Sequence, residues 1–301
     1  MTLRAFSALV PLLYLLACSV FVGVIAYPAF LALQGAVSFR TLMFRGALVV
    51  MLAGVVVLSK RLGLGWSQLG LASGLRSFCK QLAQGWAWGV AILAIHVALL
   101  LLADVRVISD IKIHDYAAYP RWIGKSLAMG LGVGLNEELL FRGMLLGYLL
   151  PRMTAAWAIL TSAFYFAGIH FLNTSMDPGA TQLGWMSGMT LVGDAFASLG
   201  ERFHLDTFLA LFTAGAFLAT VRVYVPFGLA LCMGIHAGWV FVIKVARYVT
   251  LQPPKSEWAG MVGNLDGVIG YLSAFWISLL ILGLMGWFRW RERAREKAGK
   301  P

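Results

Sequence analysis

Eight stretches of this sequence stay apolar over the length a helix needs to cross a bilayer: 6–27, 41–59, 85–103, 122–150, 155–173, 206–221, 226–248 and 267–288. About 20 predominantly apolar residues span the hydrocarbon core. Hydrocarbon offers the backbone no hydrogen-bond partner, so each crossing must satisfy its N–H and C=O groups internally, as a helix. The expected fold is therefore all-α: a polytopic integral membrane protein of about eight transmembrane helices. Of the 301 residues, 60% are hydrophobic and 12% are charged. A soluble domain carries about a quarter charged, so much of this surface faces lipid rather than water. The eleven Trp, nine Tyr and nineteen Phe are suited to aromatic belts at the two interfaces. Cys18, Cys79 and Cys232 lie far apart with no CxxC pair, which argues against a disulfide or thiolate metal site.

The formal net charge is +11. Nucleic acid is one partner for so basic a chain, but the distribution speaks against it. The densest run is Arg289, Arg291, Arg293, Arg295, Lys297 and Lys300, directly after the last apolar segment. That is a cytoplasmic stop beside anionic lipid. The first apolar run follows Arg4 with no clear cleavage site and is read as a retained span. An even number of spans puts both termini on one side, and the tail makes that side the cytoplasm: N-in and C-in, expected in a bacterial inner (plasma) membrane. Arg222 ends the short sixth span and is placed to snorkel towards the interface. Three regions follow: 1–120 with the N-terminal transmembrane helices, 121–250 as a core, and 251–301 with the last span and the basic tail. Residues 66–83 mix Leu69, Leu71, Leu75, Phe78 and Leu82 with Ser67, Gln68, Arg76, Lys80 and Gln81, which predicts a helix lying in the interface. The stretch 174–205, with Pro178, Asp194 and Glu201, reads as a re-entrant or surface segment.

The fourth span carries Glu137, Glu138 and Arg142. One charge at the bilayer centre costs about 2.5–3.5 kcal/mol on insertion scales, so three within six positions need a partner, a cavity or a task. Glu138 and Arg142 are four apart and share a helix face, which suits an ion pair. Glu137 is rotated by about 100° from Glu138. It has no local cation and is suited to proton transfer. A purely structural ion pair would be weakened by a second acid. His170 ends the fifth span and His236 lies in the seventh. Counted from Pro151 and Pro226 at about 1.5 Å per residue, Glu137 lies about 20 Å deep, His236 about 15 Å and His170 about 28 Å. One acid and two imidazoles on three neighbouring helices make a hydrolytic or metal-binding constellation. His96, His114 and His204 have no such company. Gly130, Gly132 and Gly134 follow no strand, so close helix packing explains them better than phosphate binding.

Glu137-Glu138-x-x-x-Arg142, then Phe166-x-x-x-His170, then His236 in an apolar helix, resembles the CAAX-protease and bacteriocin-processing (CPBP, or Abi) family, whose best-known branch is the type II CAAX prenyl endopeptidases. The likeness runs from about residue 120 to 248, through Phe208, Gly215, Leu218 and Trp239. It implies a CAAX prenyl endopeptidase-like bundle of eight helices, with a cavity open to one side of the bilayer. It also implies an intramembrane endopeptidase in which Glu137 is the general base for water, His170 positions that water and His236 stabilises the oxyanion. Glu138, Arg142, Phe166 and Asn136 would support the site.

The sequence departs from the family at Val240, where Asn or Asp is usual four residues after the second His. An apolar side chain cannot donate to an oxyanion, and losing one such donor costs about 100- to 1,000-fold. Asn136, Asn173 and Trp239 are the candidates to replace it. Two His and one Glu would also suit zinc with a water in its open position. No HExxH helix is present, and glutamate-activated water without metal is the favoured reading. The expected partners are the bilayer and a peptide or membrane-protein substrate; a prenylated C-terminal motif is the target of one branch only. Val240 keeps open a weakened or inactive scaffold of the same fold. A transporter or proton relay is the third reading, for which no inverted repeat speaks.

Overall fold

The computed structural model describes residues 3–71, 74–176, 183–226, 228–253, 256–263 and 266–297. Pro178 and Lys300 lie outside the described residues. The chain is helical nearly throughout, as a lipid-embedded backbone requires. α1 (Leu3–Ala32) and α2 (Phe39–Arg61) form a hairpin, with Ser38 capping α2 by accepting from the Thr41 amide at 3.2 Å. α3 (Trp66–Leu69) is a single turn, and α4 (Leu75–Leu102) follows. β1 (Val107–Ile108) leads to α5 (Asp110–Ile113). α6 (Tyr119–Glu138), a π-helical segment (Leu139–Leu145) and α7 (Leu146–Leu149) form one continuous rod. α8 (Ala155–Ile169), α9 (Ser187–Ala197), α10 (Leu199–Arg202), α11 (Leu205–Tyr224) and α12 (Leu229–Val249) come next. β2 (Thr250–Leu251) pairs antiparallel with β1, and α13 (Tyr271–Lys297) closes the described chain.

Six of these helices are long and apolar enough to cross a membrane: α1 from Ser7, α2, α4, α11, α12 and α13. The chain is an integral membrane protein of all-α architecture. The expected count of eight is not reproduced by length and composition, for two physical reasons. The α6–α7 rod carries the charged cluster, and α8 has 15 residues, a rise of about 22 Å. The expected interfacial helix at 66–83 is corrected. Residues 66–69 form one turn, closed by Gly70 in the left-handed region at φ 81°, and residues 75–83 are the start of α4. The polar side chains there decorate one end of a long helix. Arg222 reaches back to this corner, its Nη2 donating to the Gln68 carbonyl at 2.8 Å. Within 174–205, α9 packs on α1 so closely that a Cβ on Gly188 would lie 2.0 Å from the Gly23 carbonyl oxygen, and Leu191 joins Val22, Ala26, Phe39 and Met43 in a buried cluster. The buried Cys18 and Cys232 and the exposed Cys79 are all free thiols.

α12 is the centre of the bundle, buried between α4, α6 and α11. Glycine permits the approach. A Cβ on Gly89 would stand 2.2 Å from the Ile235 carbonyl oxygen, and one on Gly134 would stand 2.6 Å from that of Met233. Of the string in α6, Gly130 and Gly134 face α12, whereas Gly132 faces open space. Van der Waals contact and near-touching backbones substitute here for a hydrophobic force that lipid cannot supply. A Gly89→Val variant must push α4 and α12 apart. The expected result is a loss of the folded, monodisperse species, read by detergent size exclusion and thermal melting, whereas Gly132→Val leaves both unchanged.

Candidate active site

Glu137 and Glu138 end α6 where the rod changes to π-helical winding. Such i→i+5 turns inside an α-helix are rare and cluster at functional sites. Across this junction Arg142 Nη1 donates to Glu138 Oε1 at 2.8 Å, with both side chains fully buried. Arg142 Nη2 donates to the Gly215 carbonyl on α11 at 3.0 Å. Its guanidinium also lies 4.4 Å from the centroid of the Phe166 ring, in cation–π range. Glu138 Oε1 accepts a second bond, from His236 Nδ1 on α12, at 2.8 Å. One buried carboxylate thus ties together α6, the π segment and α12, with its charge shared between a guanidinium and an imidazole.

His170 caps α8, its Nδ1 donating to the Phe166 carbonyl at 2.7 Å. A carbonyl only accepts, so Nδ1 carries the hydrogen and Nε2 is the free nitrogen. The Glu138 carboxylate engages Nδ1 of His236, so Nε2 is the ring nitrogen that faces the front there too. Both Nε2 atoms face Glu137 Oε2, at 3.9 Å for His170 and 4.0 Å for His236. Glu137 Oε2 is buried and has no hydrogen-bond partner among the described residues. Glu137 and His170 keep 27% and 26% of their side-chain surface, against none for Glu138 and Arg142. The site therefore has an accessible front, Glu137 and His170, and a sealed back, Glu138 and Arg142, with His236 joining them. Phe166 fills the angle between the rings, edge-on to His170 at 4.9 Å, His236 at 5.8 Å and Phe141 at 5.2 Å.

The structure brings together Glu137, His170, His236, Glu138, Arg142 and Phe166. Asn136 does not join them: it is half-buried and makes no side-chain hydrogen bond among the described residues. Asn173 Oδ1 is engaged by Arg40 Nη2 at 3.0 Å and by the Thr174 amide at 2.8 Å. Trp239 Nε1 is buried without a partner among the described residues, and Val240 is half-buried. His96 serves the fold, its Nε2 meeting the Val268 carbonyl at 2.8 Å. His114 and His204 are exposed. The carbonyl of Gly215 is a support that no side-chain pattern could reveal. Among the described residues, no group of three or more His, Cys, Asp or Glu is arranged to hold a metal ion.

Residues 119–242 match the family model described as type II CAAX prenyl endopeptidase Rce1-like. The matched segment runs from the start of α6 into α12 and contains every residue of the cluster. No curated protein matches the chain, and no solved structure does.

Proposed function

We propose that this membrane protein is an intramembrane endopeptidase in which Glu137 activates the attacking water, a reading supported by the match of the α6–α12 segment to the type II CAAX prenyl endopeptidase Rce1-like model. The observation that carries the reading is the convergence of Glu137 Oε2 with two imidazole Nε2 atoms at 3.9 and 4.0 Å. These separations exceed a direct hydrogen bond of about 2.7–3.2 Å. They suit three groups that each bond to one shared water.

The roles follow from the protons. Glu137 takes a proton from the water as it attacks the amide carbon, and delivers it to the departing amine. Neutral His170 accepts the water's other hydrogen at Nε2 and so aims its lone pair. His236, its ring held at Nδ1 by the Glu138 carboxylate, donates Nε2–H to the developing oxyanion. Val240 adds no donor, so this stabilisation rests mainly on His236. The substrate is a peptide or membrane-protein segment reaching the bundle at the bilayer, and the chemistry needs no metal.

Purified protein in lipid vesicles, given a membrane-anchored reporter peptide, tests this. His170→Ala is expected to lower the cleavage rate about 100-fold, the cost of misplacing a reacting group, while the protein still folds and inserts. Chelators are expected to leave the wild-type rate intact. Loss of activity on chelation with recovery on added zinc would overturn the metal-free step. Full activity of the His170→Ala variant would overturn the site.

A further inference from the structure

Two apolar grooves lie along the seam between the α1–α2–α9 group and the α6–α8 core. The larger encloses about 430 Å³ and the smaller about 200 Å³. Both are walled by Leu15, Met51, Ile169, Leu172 and Phe196, so they run into one another. The side-chain bonds that cross the seam include Tyr165 Oη to the Ala8 carbonyl at 2.5 Å and Arg40 Nη2 to Asn173 Oδ1 at 3.0 Å. Protein interiors are packed as densely as organic crystals, whereas this groove is large enough for a flexible hydrocarbon chain.

One end of the groove is not apolar. Arg40 is the charged residue in its walls, and among the described residues no carboxylate lies within ion-pair distance of it. Asp194, close by, is engaged by the Thr174 hydroxyl. Arg40 sits in the first turn of α2, which contains no acidic residue. The helix dipole adds positive potential at that turn, although Ser38 already caps the Thr41 amide. Guanidinium binds phosphate oxygens in a matched fork. A chain-length apolar groove that ends at an unneutralised arginine on a helix N-terminus is complementary to an amphiphile with an anionic head.

We propose that this seam binds one phospholipid of net negative charge, with an acyl chain in the groove and the phosphate on Arg40. The lipid fastens the α1–α2 hairpin to the core, and its binding does not depend on the proteolytic reading.

Delipidated protein in detergent, titrated with phosphatidylglycerol or phosphatidylcholine and read by native mass spectrometry and thermal shift, tests the proposal. The wild type is expected to hold one phosphatidylglycerol and to bind it about tenfold more tightly than phosphatidylcholine. Arg40→Gln is expected to lose that preference while still binding both lipids, and Arg40→Lys to keep it. A Cβ on Gly168, in the groove wall, meets nothing within 4 Å. Gly168→Leu therefore projects into the groove, and this variant is expected to release both lipids. Equal affinity of the wild type for the two lipids would overturn the proposal, as would unchanged binding by Gly168→Leu. So would a prenylated peptide that occupies the groove where phosphatidylglycerol does not, since the seam would then be a substrate channel.

Discussion

A Glu137→Gln variant is expected to cleave about 1,000-fold more slowly than wild type, within the range lost with a general base, while folding and melting as before. The amide keeps the size and shape of the carboxylate and can still hold a water, but it cannot take a proton. Glu137 Oε2 has no hydrogen-bond partner among the described residues, so the exchange removes no hydrogen bond seen there. The large effect on rate and the small one on stability distinguish a base from a structural acid. The same variant separates the protease from a non-catalytic scaffold, the reading Val240 favours. A scaffold keeps its full function with glutamine at 137, measured as partner binding or phenotype. Cleavage at the wild-type rate by Glu137→Gln would show that the carboxylate is not the base.

Much of this site is visible in the sequence because lipid makes polarity conspicuous. Glu137, His170 and His236 stand out in apolar runs, and they do converge at 3.9–4.0 Å. The Glu138–Arg142 pair was legible from the i,i+4 spacing alone. Its bond to His236, 98 positions away, was not, because helix–helix register is set by glycine contacts along α12 that no local pattern specifies. The second anchor of Arg142 is the Gly215 carbonyl; every residue has such an acceptor, so none is marked by composition. The π segment is equally silent, since Leu139–Leu145 has the composition of ordinary helix. The polar start of α4 misled for a different reason. Arg76, Lys80 and Gln81 would look the same on a helix lying in the interface as on a spanning helix that extends beyond the core. The ends of α2, α11 and α12 fall within three residues of the expected spans, whereas α13 runs past the expected end at 288 to Lys297, because the basic residues there continue the helix.

Removing Arg142 is expected to do more to the fold than any other single change in the cluster. Arg142→Met leaves Glu138 fully buried with only His236 as a partner and abandons the Gly215 carbonyl. Breaking a buried pair in this way costs about 3–5 kcal/mol, because it strands a charge. The variant should melt many degrees lower and be poorly recovered from membranes. Replacing both members, as Glu138→Leu with Arg142→Met, removes the stranded charge as well. Apolar replacements of buried ion pairs are often neutral or stabilising, so the double variant should recover most of the lost melting temperature. It should not recover cleavage. His236 Nδ1 then has no carboxylate to hold its ring, and loss of oxyanion stabilisation costs about 100- to 1,000-fold. Recovery of stability without recovery of turnover is the signature of a pair retained to orient the histidine. If the double variant regains both, the ion pair serves only the packing of α6 against α12, and His236 needs no carboxylate behind it.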